Sequence, residues 1–424
     1  MRFFNPRIFD CFTDIKYGNK VMSMPEHSST REAQICILLL KSKTRWADQL
    51  IRKLSLEFSV FPIYALPKIR EYGFGTLLKN LNQEIVRRGA SCVFFSVDFF
   101  PSIDVRFIQG VDSSVKKVFI TFDDCILHPF NSISAARCDL VLTADPISVL
   151  KYQEKGIPAE YFPLESSAEY KPAEVRKKQG VLFFGVRTKG NRPKYFEYFR
   201  ERGIAIKVAG IDSNFLSLDD LAQEINSAKI VLNFSQTDHL DASVSDVFHA
   251  YDKLLQFKGR IIEAAFCRTA CISEYSPAIP LLFTNGEVPM FRNPEECVQI
   301  IEELLSDDDR LEEVASRLYD TVTQQFEDSV IMANVRRLLR RVSTGTKDTR
   351  IVIIPSQYNK IALRGRLKQI STKLSEVIKE VRDWYFSSNG ATHPSRLSML
   401  VGTLMWFVYF LIKEKIQKWT SVPE

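Results

Sequence analysis

The chain has 424 residues, of which 45% are hydrophobic and 25% charged, and this composition is typical of a folded protein and excludes a chain that is disordered throughout. The length exceeds what a single hydrophobic core supports, so we expect two α/β-sized domains and an appendage. The formal net charge of +6 is concentrated in residues 345–424, where 13 Lys and Arg stand against 6 Asp and Glu. The rest of the chain is close to neutral, which argues against nucleic acid as a partner.

The N-terminal segment, residues 1–30, shows no clear periodicity. Asn5, Pro6 and Asp10 interrupt its apolar residues, so we predict an irregular segment without a secretory signal. The eight cysteines of the chain form no CxxC motif and no paired Cys/His spacing, and several lie in apolar runs where a thiol behaves as a small hydrophobic side chain. We therefore expect a reducing, cytoplasmic compartment and no metal or other cofactor.

Residues 31–165 alternate between apolar runs of strand length and helical patterns. Ile35–Leu40 is a continuous apolar run, which is typical of a strand buried on both faces of a parallel sheet. Helical patterns fit Trp46–Leu54 and Thr76–Arg88, and Gly89 ends the second of them. Three further strands are predicted at Cys92–Val97, Val115–Phe122 and Asp139–Ala144. This alternation predicts an α/β fold, with a first Rossmann-like domain in residues 31–165.

A second alternating series follows a polar segment, Glu165–Gln179, which we interpret as an interdomain linker. The predicted strands of this series are Val181–Gly185, Ile204–Gly210, Ile230–Phe234 and Ala270–Ser273. Helical patterns continue through Glu295–Leu305 and Arg310–Gln324. We therefore predict a second Rossmann-like domain in residues 166–344, which faces the first across a cleft.

Residues 345–424 form a basic tail that is predicted to associate with a membrane. Apolar residues recur at steps of three and four from Leu363 to Trp384, with basic residues on the other face, as in an amphipathic helix. Leu397–Ile412 is uncharged and, at ~1.5 Å per residue, spans roughly 24 Å, which is less than the ~30 Å of a bilayer core. We expect residues 360–418 to contact the membrane surface, as a peripheral or tail-anchored element at the inner face of the cytoplasmic membrane. A helix that packs on the body or on a partner chain is the alternative.

Five segments resemble a known family in their order and spacing. They are DLVLTADPISVLKYQEKGIPAEYFPL, VLFFGVRTKGNRPKYFEYFRERGIAIKVAG, INSAKIVLNFS, QFKGRIIEAAFCRTACISEYSP and LLFTNGEVPMFRNPEECVQIIEELLSDDDRLEEVA. Together they cover roughly residues 139–342 and resemble GT-B glycosyltransferases around the donor-binding half, most closely the spore-maturation CgeB-type family. The resemblance implies transfer of a sugar from a nucleotide-sugar donor, without a bound metal. With the basic tail, it suggests a cell-envelope glycan, lipid-linked or protein acceptor.

Basic residues lie where the resemblance places the donor diphosphate. Five of them fall in two loops of the second domain, namely Arg187, Lys189, Arg192, Lys258 and Arg260. Cations and helix N-termini stabilise a diphosphate leaving group as its charge develops, although solvated loop residues are the simpler interpretation. The resemblance also implies that Glu263 accepts hydrogen bonds from the ribose hydroxyls. Ser276, in the loop after the next strand, is a further donor-binding candidate.

Two positions depart from the family pattern. Retaining members often carry a second glutamate eight positions before the helix glutamate, and this chain has Leu255 there. Where the family usually has glycine after the helix, this chain has Arg268. The sequence therefore leaves inversion and retention open. It also leaves a catalytically inactive nucleotide-sugar-binding protein, or a membrane-tethered scaffold, as alternatives.

An inverting transfer needs a general base near the acceptor hydroxyl. Asp123 and Asp124 follow a predicted strand, and adjacent carboxylates raise each other's pKa, which suits a base or a proton-sharing pair. A helix N-cap or turn role is the alternative for strand-end aspartates. Asp98 and His128 are further candidates for the base.

Overall fold

The computed structural model describes residues 34–97, 103–175, 177, 179–209, 216–237, 254–342, 350, 354 and 358–359. These residues form two α/β halves, each built on a parallel sheet, so the predicted fold class is confirmed. The predictions of an irregular segment 1–30 and of membrane contact through residues 360–418 fall outside the described residues.

The first half contains a six-stranded parallel sheet in the order β2-β1-β3-β4-β5-β6. Its strands are β1 (Gln34–Leu40), β2 (Phe58–Tyr64), β3 (Cys92–Ser96), β4 (Lys116–Thr121), β5 (Leu140–Thr143) and β6 (Ala159–Tyr161). Its helices are α1 (Arg45–Leu54), α2 (Ala65–Tyr72), α3 (Phe74–Arg88), α4 (Val105–Gly110), α5 (Asp124–Ala135) and α6 (Pro146–Glu154). Helices cover both faces of the sheet, which explains the continuous apolar runs of β1, β3 and β4.

Strand β2 is an element for which the sequence gives no clear signal. Pro62 interrupts its apolar pattern and stands opposite Leu38 of β1. Proline has no N–H to donate, so it is tolerated where a strand pairs on one side alone. β2 is such an edge strand, next to β1.

The second half contains a five-stranded parallel sheet in the order β11-β10-β9-β7-β8. Its strands are β7 (Gln179–Phe184), β8 (Ile206–Ala209), β9 (Ala228–Asn233), β10 (Ala270–Glu274) and β11 (Met290–Phe291). Its helices are α7 (Arg192–Glu201), α8 (Leu218–Ser227), α9 (Arg260–Phe266), α10 (Ile279–Leu282), α11 (Pro294–Ser306), α12 (Asp308–Phe326) and α13 (Asp328–Arg341).

The connecting segment and α13 join the two halves. The buried ammonium of Lys53 on α1 forms an ion pair with Asp328 at the start of α13, with 3.0 Å between Nζ and Oδ1. Farther along α13, Arg336 pairs with Glu57 at 2.7 Å. The connecting segment is packed here as well, since the Lys53 ammonium also donates to the backbone carbonyls of Pro163 and Glu165. The domain bounds 31–165 and 166–344 stay predictions.

Two described residues beyond α13 contact the first half again. Arg350 donates from Nη1 to the carbonyl of Cys138 at 2.7 Å. The Tyr358 ring stacks on Phe130, with 6.3 Å between centroids, and its hydroxyl lies 3.3 Å from Ser134 Oγ. In the part of the chain that the structure describes, no helix combines the length and apolar character needed to cross a membrane.

Candidate active site

A crevice of about 520 Å³ opens between the two halves at the carboxyl ends of strands from both sheets. Strand order reverses between β1 and β3 in one sheet and between β7 and β9 in the other. Such reversal points are where open α/β sheets bind ligands. The first half contributes Arg45 and Asp123 to the walls, and the second half contributes Gly185, Lys258 and Arg260.

A second, more open groove of about 720 Å³ runs along the outer surface of α3. Its walls, which include Leu78 and Val86, come from one helix. Its polar lining residues come from the same helix, so the groove does not bring together groups from different elements. The interdomain crevice is therefore the better candidate for the functional site.

Arg260, the first residue of α9, lies over the end of β7. Its guanidinium carbon is 5.5 Å from the ring centroids of Phe183 and Phe184, and Nη1 donates to Asn233 Oδ1 at 3.4 Å. Burial, followed by the positive charge of Arg192, lowers the pKa of Arg260 to about 10. Arg260 remains charged at neutral pH, in surroundings that favour an anionic ligand.

Lys258 lies beside Arg260 and contacts the side-chain carbonyl oxygen of Gln256. Burial lowers the pKa of Lys258 to about 8, and the Arg260 guanidinium acts in the same direction. Arg192 is buried at the start of α7, where it donates to the carbonyl of Val186 at 2.6 Å. Three predicted donor-binding cations thus lie near one another. Two others, Arg187 and Lys189, are exposed in the loop before α7 and are not part of the crevice wall.

Gly185 makes the position of Arg260 possible. Its φ of 129° is one that side chains rarely adopt, and a Cβ there would come within 2.5 Å of Arg260 Nη2. The signal in the sequence is the glycine directly after the apolar run of β7.

Glu263 lies on α9, one turn from Arg260, in a buried part of the crevice wall. The hydroxyl of Tyr170, from the connecting segment, donates to Glu263 Oε1 at 2.7 Å. Burial, followed by the negative charge of Glu165, raises the pKa of Glu263 to about 7. The structure thus places Glu263 in the same crevice as Lys258 and Arg260.

Glu165 and Tyr170 are site residues that the sequence analysis missed. Both belong to a polar segment interpreted as a linker, and such a composition gives no signal for burial. Glu165 lines the crevice, and burial raises the pKa of its carboxyl. A Cβ on Gly259 would come 1.5 Å from Glu165 Oε1, so the carboxylate lies directly against the Gly259 backbone.

Glu274, at the end of β10, holds together the loops on the second-half side of the crevice. Its carboxylate accepts hydrogen bonds from the backbone N–H groups of Ser235 and Gln236 at 3.0 and 2.9 Å. It also accepts one from Asn191 Nδ2 at 2.6 Å. These bonds connect the end of β9 to the turn from which α7 begins, and so they hold Arg192 in place. An acidic residue ending an apolar strand is the sequence signal that could have indicated it.

The structure separates the predicted aspartate pair. Asp123 is exposed and lines the crevice. Asp124 is fully buried and accepts hydrogen bonds from Asn131, Thr143 and Tyr152 at 3.0 to 3.1 Å. Burial raises the pKa of Asp124 to about 6, against the effect of these hydrogen bonds. Asp123 is the member of the pair that can meet an acceptor.

The remaining candidates lie away from the crevice or outside the described residues. Ser276 is buried and donates to the carbonyl of Leu255 at 3.4 Å. Arg268 precedes β10, at the amino ends of the strands and therefore opposite the crevice, and pairs with Glu312 at 2.7 Å. It is thus not positioned to contact or block a ligand in the crevice. His128 is buried against Tyr152, with 4.6 Å between the rings. Asp98 is not among the described residues.

Solved structures define the class to which this architecture belongs. Anabaena Alr3699/HepE in complex with UDP-glucose superposes with a TM-score of 0.53 at 11% identity, covering 73% of this chain and 100% of that one. Sucrose-phosphate synthase from Thermosynechococcus elongatus gives 0.51 at 10% identity, covering 73% and 98%. A glycosyltransferase from Rickettsia africae ESF-5 gives 0.50 at 9% identity, with the same coverage. The chain therefore has the GT-B fold, as the resemblance in its sequence implied.

Part of the sequence also matches a known protein family. Residues 192–335 match a family described as Glycosyl transferase-like. This region runs from α7 into α13 and contains Arg260, Glu263 and Glu274. No curated protein sequence matches the chain. The narrower CgeB-type assignment stays a prediction.

Proposed function

We propose that this protein is a metal-independent glycosyltransferase that moves a sugar from a nucleotide-sugar donor to a cell-envelope or lipid-linked acceptor. One observation carries the proposal. Lys258, Arg260 and Glu263 converge on a single crevice of about 520 Å³ between two parallel sheets, at the strand ends. The GT-B fold and the match to a glycosyltransferase-like family support the same conclusion.

The donor diphosphate fits the basic end of the crevice. Lys258 and Arg260 are partly buried next to Arg192; burial is the main cause of their lowered pKa values, and repulsion from neighbouring guanidinium groups adds to it. A bound diphosphate offsets this repulsion and gains charge-assisted hydrogen bonds in a weakly solvated site. The ribose then lies toward Glu263, whose carboxylate accepts hydrogen bonds from its hydroxyls.

Sugar transfer develops negative charge on the departing diphosphate. The bond between the anomeric carbon and the diphosphate oxygen breaks, and the acceptor oxygen bonds to that carbon. Lys258 and Arg260 stabilise the leaving group as its charge grows. In an inverting transfer, Asp123 takes the proton of the acceptor hydroxyl, since it is the exposed carboxylate on the first-half wall.

The proposal assigns leaving-group stabilisation to side chains instead of a metal ion. Among the described residues, no three His, Cys, Asp or Glu side chains are grouped in a way that could hold a metal. We expect nucleotide release to proceed unchanged in excess chelator. A loss of activity on chelation that Mg²⁺ or Mn²⁺ restores would contradict this assignment.

Release of nucleoside diphosphate from nucleotide sugars tests the proposed activity. UDP-glucose is the first donor to try, because the similar Anabaena protein is solved in complex with it. ADP- and GDP-sugars follow in parallel. We expect slow release without acceptor, and loss of release in Arg260→Gln. Binding of a donor without release, with or without membrane-extract acceptors, would favour the nucleotide-sugar-binding alternative.

Membrane association is proposed from the sequence of residues 360–418. A chain truncated after residue 359 keeps Arg350 and Tyr358, which contact the first half. We expect the full chain to sediment with vesicles that contain anionic lipid, and the truncated chain to stay in solution while still binding donor. Equal sedimentation of both chains would contradict a membrane role for the tail.

A further inference from the structure

We propose that Glu165, in the segment that joins the two halves, is a second carboxylate for the nucleotide ribose and acts together with Glu263 on its two neighbouring hydroxyls. This inference rests on the proposed function and adds to it a residue and a selectivity. The predicted consequence is that the site discriminates strongly between ribonucleotides and 2′-deoxyribonucleotides.

The two carboxylates reach the same part of the crevice from different segments. Glu263 projects from the first turn of α9, and Glu165 follows β6 in the connecting segment. A Cβ on Gly259, directly before α9, would come 1.5 Å from Glu165 Oε1, so the Glu165 carboxylate lies against the backbone about one turn from Glu263. Both carboxylates line the same crevice, and burial, followed by the negative charge of Glu165, raises the pKa of Glu263.

Both groups have acceptor capacity that the described residues do not use. Glu263 accepts one hydrogen bond, from the Tyr170 hydroxyl to Oε1, and its Oε2 accepts none from the described part of the chain. Across the same ranges, the Glu165 carboxylate interacts with the backbone N–H groups of Leu164 and Glu165 but accepts no side-chain hydrogen bond, and neither Glu165 nor Glu263 forms an ion pair.

Lys53 and Arg45, two of the cations near the carboxylates, form hydrogen bonds or ion pairs with other groups. The Lys53 ammonium is held by Asp328 and by the backbone carbonyls of the connecting segment. Arg45 donates from Nη1 to the carbonyl of Leu216 at 3.1 Å. Burial raises the pKa of both carboxyls even though the positive charge of Lys53 opposes it at Glu165 and those of Arg260 and Arg45 oppose it at Glu263, so hydrogen-bond donors that reach the pair would stabilise its ionised form.

A ribose supplies donors of the required kind. Its 2′ and 3′ hydroxyls are adjacent, and each can donate one hydrogen bond to a carboxylate oxygen. A carboxylate that is ionised accepts hydrogen bonds but cannot donate them, so a diol matches the pair better than another acceptor would. The diphosphate at Lys258 and Arg260 places the ribose toward this end of the crevice.

Binding of matched nucleotides by calorimetry tests the inference. The probes are UDP, ADP and GDP with their 2′-deoxy counterparts, and the proteins are the wild type, Glu165→Gln and Glu263→Gln. Loss of one hydrogen bond to a charged group weakens binding roughly tenfold to a hundredfold. We expect the wild type to prefer the ribonucleotide by roughly tenfold or more, and Glu165→Gln to prefer it by less than about threefold.

Glu174→Gln is the matched control. Glu174 lies on the same connecting segment, is exposed and does not line the crevice, so the change in charge is the same without a change in the site. It should bind and discriminate as the wild type does. Far-ultraviolet circular dichroism and urea unfolding of each variant establish that it is folded.

Gly259→Ala supplies a second, independent test. The backbone of Gly259 has φ of −58° and ψ of −16°, which alanine adopts without strain, but its Cβ would displace the Glu165 carboxylate. We expect this variant to lose ribose discrimination, and Glu165→Gln to cause little further loss in its background.

The outcomes separate the inference from the proposed function. If no nucleoside diphosphate binds the wild type, the donor site itself is wrong and both proposals fail. If one binds but Glu165→Gln and Gly259→Ala discriminate against its 2′-deoxy form as strongly as the wild type, the inference alone is overturned. The inference is also overturned if the wild type binds Mg²⁺ tightly in the absence of nucleotide and Glu165→Gln abolishes that binding, because Glu165 would then be a cation ligand.

Discussion

Asp123 and Asp124 are neighbours in the chain but lie in opposite surroundings. Asp124 is the first residue of α5, and its carboxylate ties α5 to β5 and α6 through Thr143 and Tyr152. Asp123 precedes the helix and faces the crevice. Successive residues around a helix start point about 100° apart, so adjacency in sequence does not place two carboxylates on one side.

Because of this separation, substitution of Asp123 and substitution of Asp124 should have different effects. Asp123→Asn should lower kcat by roughly 10²–10⁴-fold with little change in donor affinity, because a general base is lost. Asp124→Asn should instead lower the free energy of unfolding by about 1–3 kcal/mol, because a buried network loses its acceptor. Steady-state kinetics and urea unfolding of both variants check this. An Asp123→Asn enzyme with normal kcat would exclude Asp123 as the base.

Titration of Glu263 makes the stability of the folded protein depend on pH. Its folded-state pKa of about 7 lies above the usual 4.5, so the native state holds a proton that the unfolded state has lost between these values. The stability contributed by Glu263 is therefore present below about pH 4.5 and is lost as pH rises through about 7.

We expect the free energy of unfolding of the wild type to fall relative to Glu263→Gln over this window, by on the order of 1–3 kcal/mol. Urea unfolding of both proteins at about pH 5 and about pH 8 measures the difference. Parallel behaviour of the two proteins would mean that the Glu263 carboxyl titrates normally in the folded state.

At the scale of elements, the turn after β7 and the start of α9 form one unit of the site. Arg260 begins α9 and lies over Gly185 at the end of β7, while Glu274 at the end of β10 holds the neighbouring loops. The positions of the cations therefore depend on the backbone of these turns as well as on the charged residues themselves.

Gly185→Ala tests this dependence, with Gly156→Ala as its control. Both glycines have positive φ, 129° and 68°, so both substitutions should strain the backbone and destabilise the fold by about 1–3 kcal/mol. Only at Gly185 would the new Cβ meet Arg260, since nothing lies within 4 Å at Gly156. We expect Gly185→Ala alone to lose nucleotide binding in a thermal-shift assay. Equal binding by the two variants would separate Gly185 from the site.

The elements also show what sequence patterns can and cannot predict. Buried strands such as β1 and β4 were predictable because a strand covered on both faces is apolar throughout. β2 was not, because Pro62 breaks its pattern at a sheet edge. Glu263 was predictable from the resemblance of its helix to a known family. Glu165 was not, because its burial results from packing between halves that lie far apart in sequence.

At the scale of the molecule, the crevice exists because the two halves are held against each other on one side. Lys53 and Asp328 form the buried ion pair of this junction, and Tyr161 packs edge-on against Phe326, with 5.5 Å between centroids. Both contacts link the first half to the helices that end the second. The geometry of the donor site thus depends on contacts outside it.

Lys53→Met should lower the free energy of unfolding by roughly 3–5 kcal/mol, because Asp328 is left buried without its partner. The double variant Lys53→Met with Asp328→Leu should recover much of the loss, since neither charge of the pair then remains buried. Urea unfolding of the single and double variants gives the coupling energy. Additive effects of the two changes would show that the pair does not act as a unit.

Calorimetric titration of UDP, ADP and GDP into the wild type, Arg260→Gln and Arg268→Gln tests the central claim most directly. Both substitutions remove one positive charge, but Arg260 lies in the crevice, whereas Arg268 pairs with Glu312 at the amino ends of the strands, opposite the crevice. We expect at least one nucleotide to bind the wild type and Arg268→Gln equally, and to bind Arg260→Gln more weakly by roughly tenfold or more. Equal binding by all three proteins, or binding by none, would contradict a diphosphate site between the two sheets.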